Sequence, residues 1–226
     1  SFRRLLLSKE DIGYINYTTF GNSKYLPIID SPFHNYGQDL IKSKKDLFVY
    51  INASGIVYKF KEQNKTKDSL IFFRIDSTEH FGYNIDCFPF VYKNTLHNIG
   101  GYGFWRWNGH LRIFSESVKQ WDIVKVNREV PVIRFGKPSN WMDPKEGKIF
   151  TLRHLEENEA EKDTDGVGVK QVDSVMMLDL EKRDWKTLGI LDPNIIKYFN
   201  LCSFIANTNM GLFVNNNRNI ELWNIK

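Results

Sequence analysis

Cysteine is almost missing from this chain: Cys87 and Cys202 are the two among 226 residues. That scarcity excludes a disulfide-dense small domain and any zinc module built on several thiolates. Long hydrophobic runs are missing as well. No stretch approaches the roughly 18 apolar residues of a membrane-crossing helix, so no membrane span is expected within the chain. Helical periodicity is scarce. Leu5 to Ile15 could form one or two turns, capped by Ser8 with Asp11 three residues on, and Asp192-Pro193-Asn194 suits the start of a short helix or turn. Neither could anchor an α/β fold.

Complete catalytic and metal motifs are missing too. The string from Gly101-Tyr102-Gly103 reaches Arg106 where a dinucleotide loop needs glycine, and the one from Gly166-Val167-Gly168 ends at Gln171. Glu161 to Gly166 resembles half a calcium loop, but Val172 stands where the bidentate glutamate belongs. The five histidines, His34, His80, His97, His110 and His154, lack paired ligand spacing, and no Gly-x-Ser-x-Gly elbow occurs. No metal and no cofactor are therefore expected, and no catalytic residue is assigned.

Charge excludes little. The formal balance is +4, and six acids (Glu156, Glu157, Glu159, Glu161, Asp163, Asp165) stand against one base, Lys162, in a single segment. Residues 156–169 lack apolar periodicity and are expected to be an acidic surface loop inserted into one domain spanning 1–226. Lysines gather at Lys42, Lys44 and Lys45, and again at Lys59, Lys61, Lys65 and Lys67. Lys59 and Lys61 have the period of a strand's outer face and the last two sit in a polar turn, so a solvated face is expected and no nucleic-acid partner. Asn16, Asn52 and Asn64 begin glycosylation triplets that matter only in a secreted eukaryotic protein, and compartment stays open. The opening, Ser1 to Leu7, is too short for a signal peptide. It is compatible with a removed leader or an excised domain.

What the chain does have is β-type rhythm. With 42% hydrophobic and 26% charged residues it is globular rather than disordered. Leu47 to Ile51, a polar Asn52-Ala53-Ser54-Gly55 connection and Ile56 to Phe60 read as a hairpin. Further runs fall at 70–75, 88–92, 96–101, 110–114, 121–126, 130–135, 148–152, 174–180, 201–206, 211–214 and 219–223. Short strands about ten residues apart are the habit of sandwiches, barrels and propellers.

Two segments repeat each other. Gly109 to Trp121 and Val172 to Trp185 are each an apolar strand, a polar turn and a tryptophan opening the next strand. In the first copy the glycine pair Gly100-Gly101 ends the preceding strand, and Trp121 lies seven residues past the aromatic Phe114. This pattern resembles a kelch repeat, which implies four-stranded blades of a β-propeller. Residues 88–126 then read as one blade, and Val130 to Leu188 as a second without the glycine pair. Trp223 near the end looks like the close of a WD-type blade, while residues 1–46 match nothing. At about 45 residues per blade, the chain supplies about five four-stranded kelch-like blades in an all-β fold. A six- or seven-bladed ring would draw on further sequence or a partner. Gly100, Gly101, Phe114, Trp121, Trp185 and Trp223 are the expected structural residues. Cys87 and Cys202 either meet across neighbouring blades or lie buried as free thiols.

One patch points to binding. Phe104-Trp105-Arg106-Trp107-Asn108-Gly109-His110 places two tryptophans, an arginine and a histidine between two strands. Tryptophan and arginine are enriched at binding hot spots. Trp105, Arg106, Trp107 and His110 are the candidate binding residues. The opposing reading puts Trp105 and Trp107, at strand period, on one face packed between blades. The resemblance implies a non-catalytic module recognising a protein or a glycan. The alternative it carries is a carbohydrate-active propeller hydrolase with carboxylates in the central channel, for which no pair can be nominated. Oligomeric state is left unassigned.

Overall fold

The computed structural model describes residues 4–8, 38–43, 45–64, 69–78, 84–103, 105–132, 140–152, 154–157, 169–172, 174–190, 203–204, 210–214 and 220–224. Among them there is no helix, and every sheet is antiparallel wherever its register is defined. The first sheet contains β1 (Arg4–Ser8), β2 (Gln38–Lys42), β3 (Leu47–Ile51), β4 (Ile56–Asn64) and β5 (Ser69–Arg74), in the order β1-β5-β4-β3-β2. The short helix expected from Leu5 is corrected over its first turn. Leu5, Leu6 and Leu7 pair with Phe72, Ile71 and Leu70, because an apolar run gains more as an edge strand on β5 than from the Ser8 cap. Residues 9–15, and the expected turn at 192–198, lie outside the described residues. β1 and β2 also give structure to a region that matches no repeat.

Phe48, Val49, Tyr50 and Ile51 are all buried in β3, the continuous pattern of a strand covered on both faces. Lys59 departs from the expected solvated face. Its ammonium lies 2.9 Å from Glu116 and 3.3 Å from Asp46, and 5.5 Å above the Phe48 ring. Burial alone would lower its pKa, but the bonds to Glu116 and Asp46 outweigh that and raise it. Asp76, whose side chain is fully buried, is held by Arg74 in a two-pronged pair at 3.1 and 3.0 Å. It also accepts from the amides of Val57 and Thr78, so a buried carboxylate has four donors. The bond to Asp76 raises the Arg74 pKa further.

The second sheet is β6 (Phe88–Tyr92), β7 (Thr95–Ile99), β10 (Leu111–Ser115) and β11 (Gln120–Val124), ordered β11-β10-β7-β6. These are the four strands expected in residues 88–126, each within two residues of the expected bounds at both ends. Between β7 and β10 the chain forms a small ribbon, β8 (Tyr102–Gly103) with β9 (Arg106–Trp107). β6 and β7 join through Lys93 and Asn94, both at positive φ (49° and 62°), which matches a two-residue hairpin turn to the strand twist. Cys87 is buried; Cys202 lies outside the described residues, so the choice between pairing and isolation is decided for neither.

A third sheet contains β12 (Asn140–Asp143), β13 (Lys148–Thr151), β16 (Ser174–Asp179) and β17 (Asp184–Ile190), in that order. A separate pair, β14 (His154–Glu157) with β15 (Val169–Val172), is inserted between β13 and β16. Glu156 and Glu157 stand opposite Lys170 and Val169, so the margins of the expected acidic insertion are paired strands; its body, 158–168, lies outside the described residues. Of the expected run at 130–135, the described part, 130–132, contains an isolated bridge from Val132 to His154, and 133–135 lie outside the described residues. Last come β18 (Ser203–Phe204), β19 (Met210–Val214) and β20 (Ile220–Asn224) in a three-stranded sheet. Trp223 is in β20, opposite Gly211.

Four connections share one chemistry. The four-residue loops 52–55, 116–119, 144–147 and 180–183 end in a left-handed residue: Gly55 (φ 72°), Lys119 (59°), Gly147 (64°) and Arg183 (55°). In two of them an aspartate at the end of the preceding strand caps the turn. Asp143 accepts from the amides of 145 and 146, and Asp179 from those of 181 and 182. The two repeated segments therefore agree in backbone as well as sequence, with Lys119 and Arg183 each two residues before the tryptophan.

Those tryptophans do related work. Trp121 sits 5.3 Å from Phe114 in its own sheet and 5.8 Å, edge-on, from Tyr50 of β3, and its indole N–H donates to the Gly55 carbonyl at 2.8 Å. It joins the first two sheets. Trp185 is 3% exposed. Its amide donates to the Asn127 side chain at 2.8 Å, and Asn127 returns bonds to the carbonyl of Trp185 and the carboxylate of Asp184. By density of contacts the chain divides into two compact units, 1–85 with 89–98 and 112–122, and 86–88 with 99–111 and 123–226.

Candidate binding site at the Trp105 hairpin

The glycine pair builds the base of the site. Gly100 and Gly101 have φ of 74° and 97°, and a Cβ on Gly100 would come within 2.3 Å of the Val132 carbonyl oxygen. Only glycine permits that approach. The Gly101 amide donates to Val132 at 3.2 Å, and the Gly100 amide to the His110 carbonyl at 3.1 Å. Immediately afterwards β8 and β9 pair, Tyr102 opposite Trp107 and Gly103 opposite Arg106. The turn between them is Phe104-Trp105; Phe104 lies outside the described residues.

Asn108 locks the far side of the ribbon. It is buried, and both its amide and its side-chain N–H donate to the Gly101 carbonyl at 2.9 Å, while its side-chain oxygen accepts from the His110 amide at 3.2 Å. Gly109 follows because a Cβ there would lie 2.3 Å from the Val130 amide nitrogen. The close passage of Val130 brings the preceding residue, Glu129, to the hairpin.

Trp105 is 91% exposed and has φ of 65°, a left-handed conformation that a bulky residue rarely adopts. Trp107 is half-buried and meets Tyr102 edge-on at 5.4 Å. The two tryptophans therefore do not share a packed face, as strand period alone would have it: the tight turn rotates Trp105 out of the ladder. Arg106 approaches one oxygen of Glu129 at 3.7 Å, and His110 Nε2 lies 3.1 Å from the other. Three of the four candidate binding residues, Trp105, Arg106 and His110, are thus on or beside one hairpin, with Trp107 supporting it. Glu129 gave no signal in sequence, since its relation to Arg106 and His110 is purely tertiary. Asn108-Gly109 carried a turn signal that could have located the lock.

The residues expected to be structural lie elsewhere in the sheets and at the base of the hairpin. Gly100, Gly101, Phe114, Trp121 and Trp185 take the packing positions described above, while the Trp223 side chain lies outside the described residues. Arg112 is 1% exposed on β10 and donates to the Asn98 side chain of β7 at 3.1 Å. His97, also buried, stacks on Phe90 at 5.2 Å and bonds the Thr95 carbonyl at 2.8 Å. Burial lowers its pKa, against the opposing pull of that carbonyl. Among the described residues no cluster of three or more potential metal ligands occurs, and no helix is long and apolar enough to cross a membrane.

No protein-family model matches the chain, and no curated protein matches it. Among solved structures, that of YjhT aligns with 82% of this chain at 10% identity and a TM-score of 0.53. YjhT is itself a kelch-type propeller protein. The likeness is one of fold: an all-β chain of four-stranded antiparallel sheets. The chain spans 64% of YjhT, less than two-thirds of its length.

Proposed function

We propose that this chain is a kelch-like β-propeller module that binds a protein or a glycan without transforming it, and that the Trp105 hairpin is its contact surface. The fold half of the reading is supported by the glycine pair with its close backbone passage, the matched turns before Trp121 and Trp185, and the likeness to YjhT. The functional half rests on a single observation. A tryptophan is held almost wholly in solvent, in a strained backbone conformation, beside an arginine, a histidine and a carboxylate. A large apolar ring left in water gains nothing in folding, and backbone strain concentrates where a surface is used.

The test is a panel of immobilised oligosaccharides and peptides probed with the native chain and with Trp105→Ala. The reading expects a ligand retained by the first and lost by the second, recovered chemically unchanged. A retained ligand indifferent to residue 105 would remove the hairpin from the account. Turnover of an oligosaccharide would favour the hydrolase.

A further inference from the structure

We infer that Asn127 and Arg128 are an edge guard: they occupy the outer side of β17 as a neighbouring strand would, and so hold the chain back from pairing edge to edge with a second copy of itself. The inference is independent of the role of the Trp105 hairpin. β17 is the last strand of the third sheet, and among the described residues no strand pairs its outer side. An antiparallel edge left open offers a row of unpaired N–H and C=O groups to any other strand. At its far end Leu188 and Ile190 are 54% and 89% exposed, apolar surface that would add to such a contact.

Asn127 closes that edge with its side chain. In an antiparallel ladder, a hydrogen-bonded pair of residues exchanges both N–H···O=C bonds. The Trp185 amide donates to Asn127 Oδ1 at 2.8 Å, and the Trp185 carbonyl accepts from Asn127 Nδ2 at 3.2 Å. One side-chain amide thus takes the place of one backbone residue. The Asn127 backbone amide donates to the Arg183 carbonyl at 3.1 Å, two residues earlier, where the chain again faces the same side. The second Nδ2 hydrogen goes to the Asp184 carboxylate at 2.6 Å, and Oδ1 also accepts from the Arg128 amide at 2.9 Å. An asparagine amide has two donor hydrogens and two acceptor positions, and all four are used. Aspartate lacks the donors, and alanine lacks both.

Arg128 extends the cover, its Nη2 donating to Thr187 Oγ1 at 3.0 Å. Past Thr187 the strand protects itself. Thr187 and Gly189 stand opposite Met176 and Val175, which leaves Leu188 as the extra residue of a bulge, and a bulge bends a strand and breaks its ladder. The regular stretch of β17 that another strand could use, from Asp184 to Thr187, is therefore the stretch that Asn127 and Arg128 cover. A second copy is the partner held off, because an antiparallel edge is its own complement across a two-fold axis.

Light scattering against concentration, with amide hydrogen exchange read over β17, tests this directly. In the wild type, exchange at residues 187–190 should not depend on concentration. Asn127→Ala should associate about tenfold more strongly than wild type, or more. Its Trp185 amide, freed in dilute solution, should become protected again as concentration rises. Adding Leu188→Lys and Ile190→Lys to Asn127→Ala should restore the wild-type dispersion, since charge on an edge opposes pairing. Bonds that merely support the fold give a different result: Asn127→Ala then melts lower and associates no more than wild type at any concentration. That result overturns the inference. So does association of Asn127→Ala that survives both lysines, or protection of residues 187–190 in the wild type that grows with concentration. Where Asn127→Ala does not fold, Arg128→Ala decides, because its bond to Thr187 is exposed and folding tolerates the loss. It should associate more than wild type, and an Arg128→Ala chain as dispersed as wild type then overturns the inference.

Discussion

Gly100 and Trp105 both have positive φ, at 74° and 65°, for opposite physical reasons. At Gly100 there is no room: Val132 backbone occupies the place of a side chain. Gly100→Ala should therefore cost about 1–3 kcal/mol from overpacking, with further loss from the backbone conformation, measurable by urea denaturation. At Trp105 the side chain is 91% exposed and the backbone alone is strained. His97 supplies a pH prediction. Burial depresses its native pKa below the usual imidazole value, so below about pH 6.5 the unfolded chain takes up a proton that the folded chain resists. Stability should be full above that pH and should fall as the pH drops toward the lower native value. The melting temperature of His97→Phe, which keeps an aromatic on Phe90, should decline less than wild type between pH 7.5 and 5.5. Equal declines would show that His97 does not titrate as its burial implies.

At the scale of elements, tryptophan position separates two kinds of packing. Trp185 is buried, and Trp185→Ala should cost about 3–5 kcal/mol. Trp121 is half-buried and tied by its N–H to Gly55, so Trp121→Phe should cost about 0.5–1.5 kcal/mol for the bond, with the ring contacts largely kept. Chemical denaturation of both variants checks the ranking; a larger loss at Trp121→Phe would reverse it. The second sheet was legible in sequence because each of its strands is apolar and bounded by turn residues. β12, Asn-Trp-Met-Asp, was not, because its ends are polar and its value lies in stacking Trp141 on Phe150 at 4.7 Å across the ladder. β1 was misread because a serine cap three residues before an acid is a local signal, and pairing with β5 overrode it. The hairpin residues were legible as types, but the exposure of Trp105 and the arrival of Glu129 depend on a tight turn and a close passage that no spacing rule encodes.

For the whole molecule, the sheets are a scaffold, and in the proposed function the hairpin is the working part. All-β architecture followed from the rhythm of short strands, and the glycine pair marked where neighbouring backbone must pass. Function was less legible, because a scaffold of antiparallel sheets leaves its activity to a few surface residues placed by tertiary contacts. The most direct measurement sets two tryptophans of opposite role side by side: the melting temperature of Trp105→Asn and Trp185→Phe, and their affinity for the ligand retained by the wild-type chain. Asparagine tolerates the left-handed turn, so Trp105→Asn should melt no lower than wild type and lose affinity tenfold or more. Trp185→Phe should melt lower and, while folded, bind as wild type does. A Trp105→Asn variant that keeps its affinity, or a Trp185→Phe variant that loses binding without losing stability, would contradict the account.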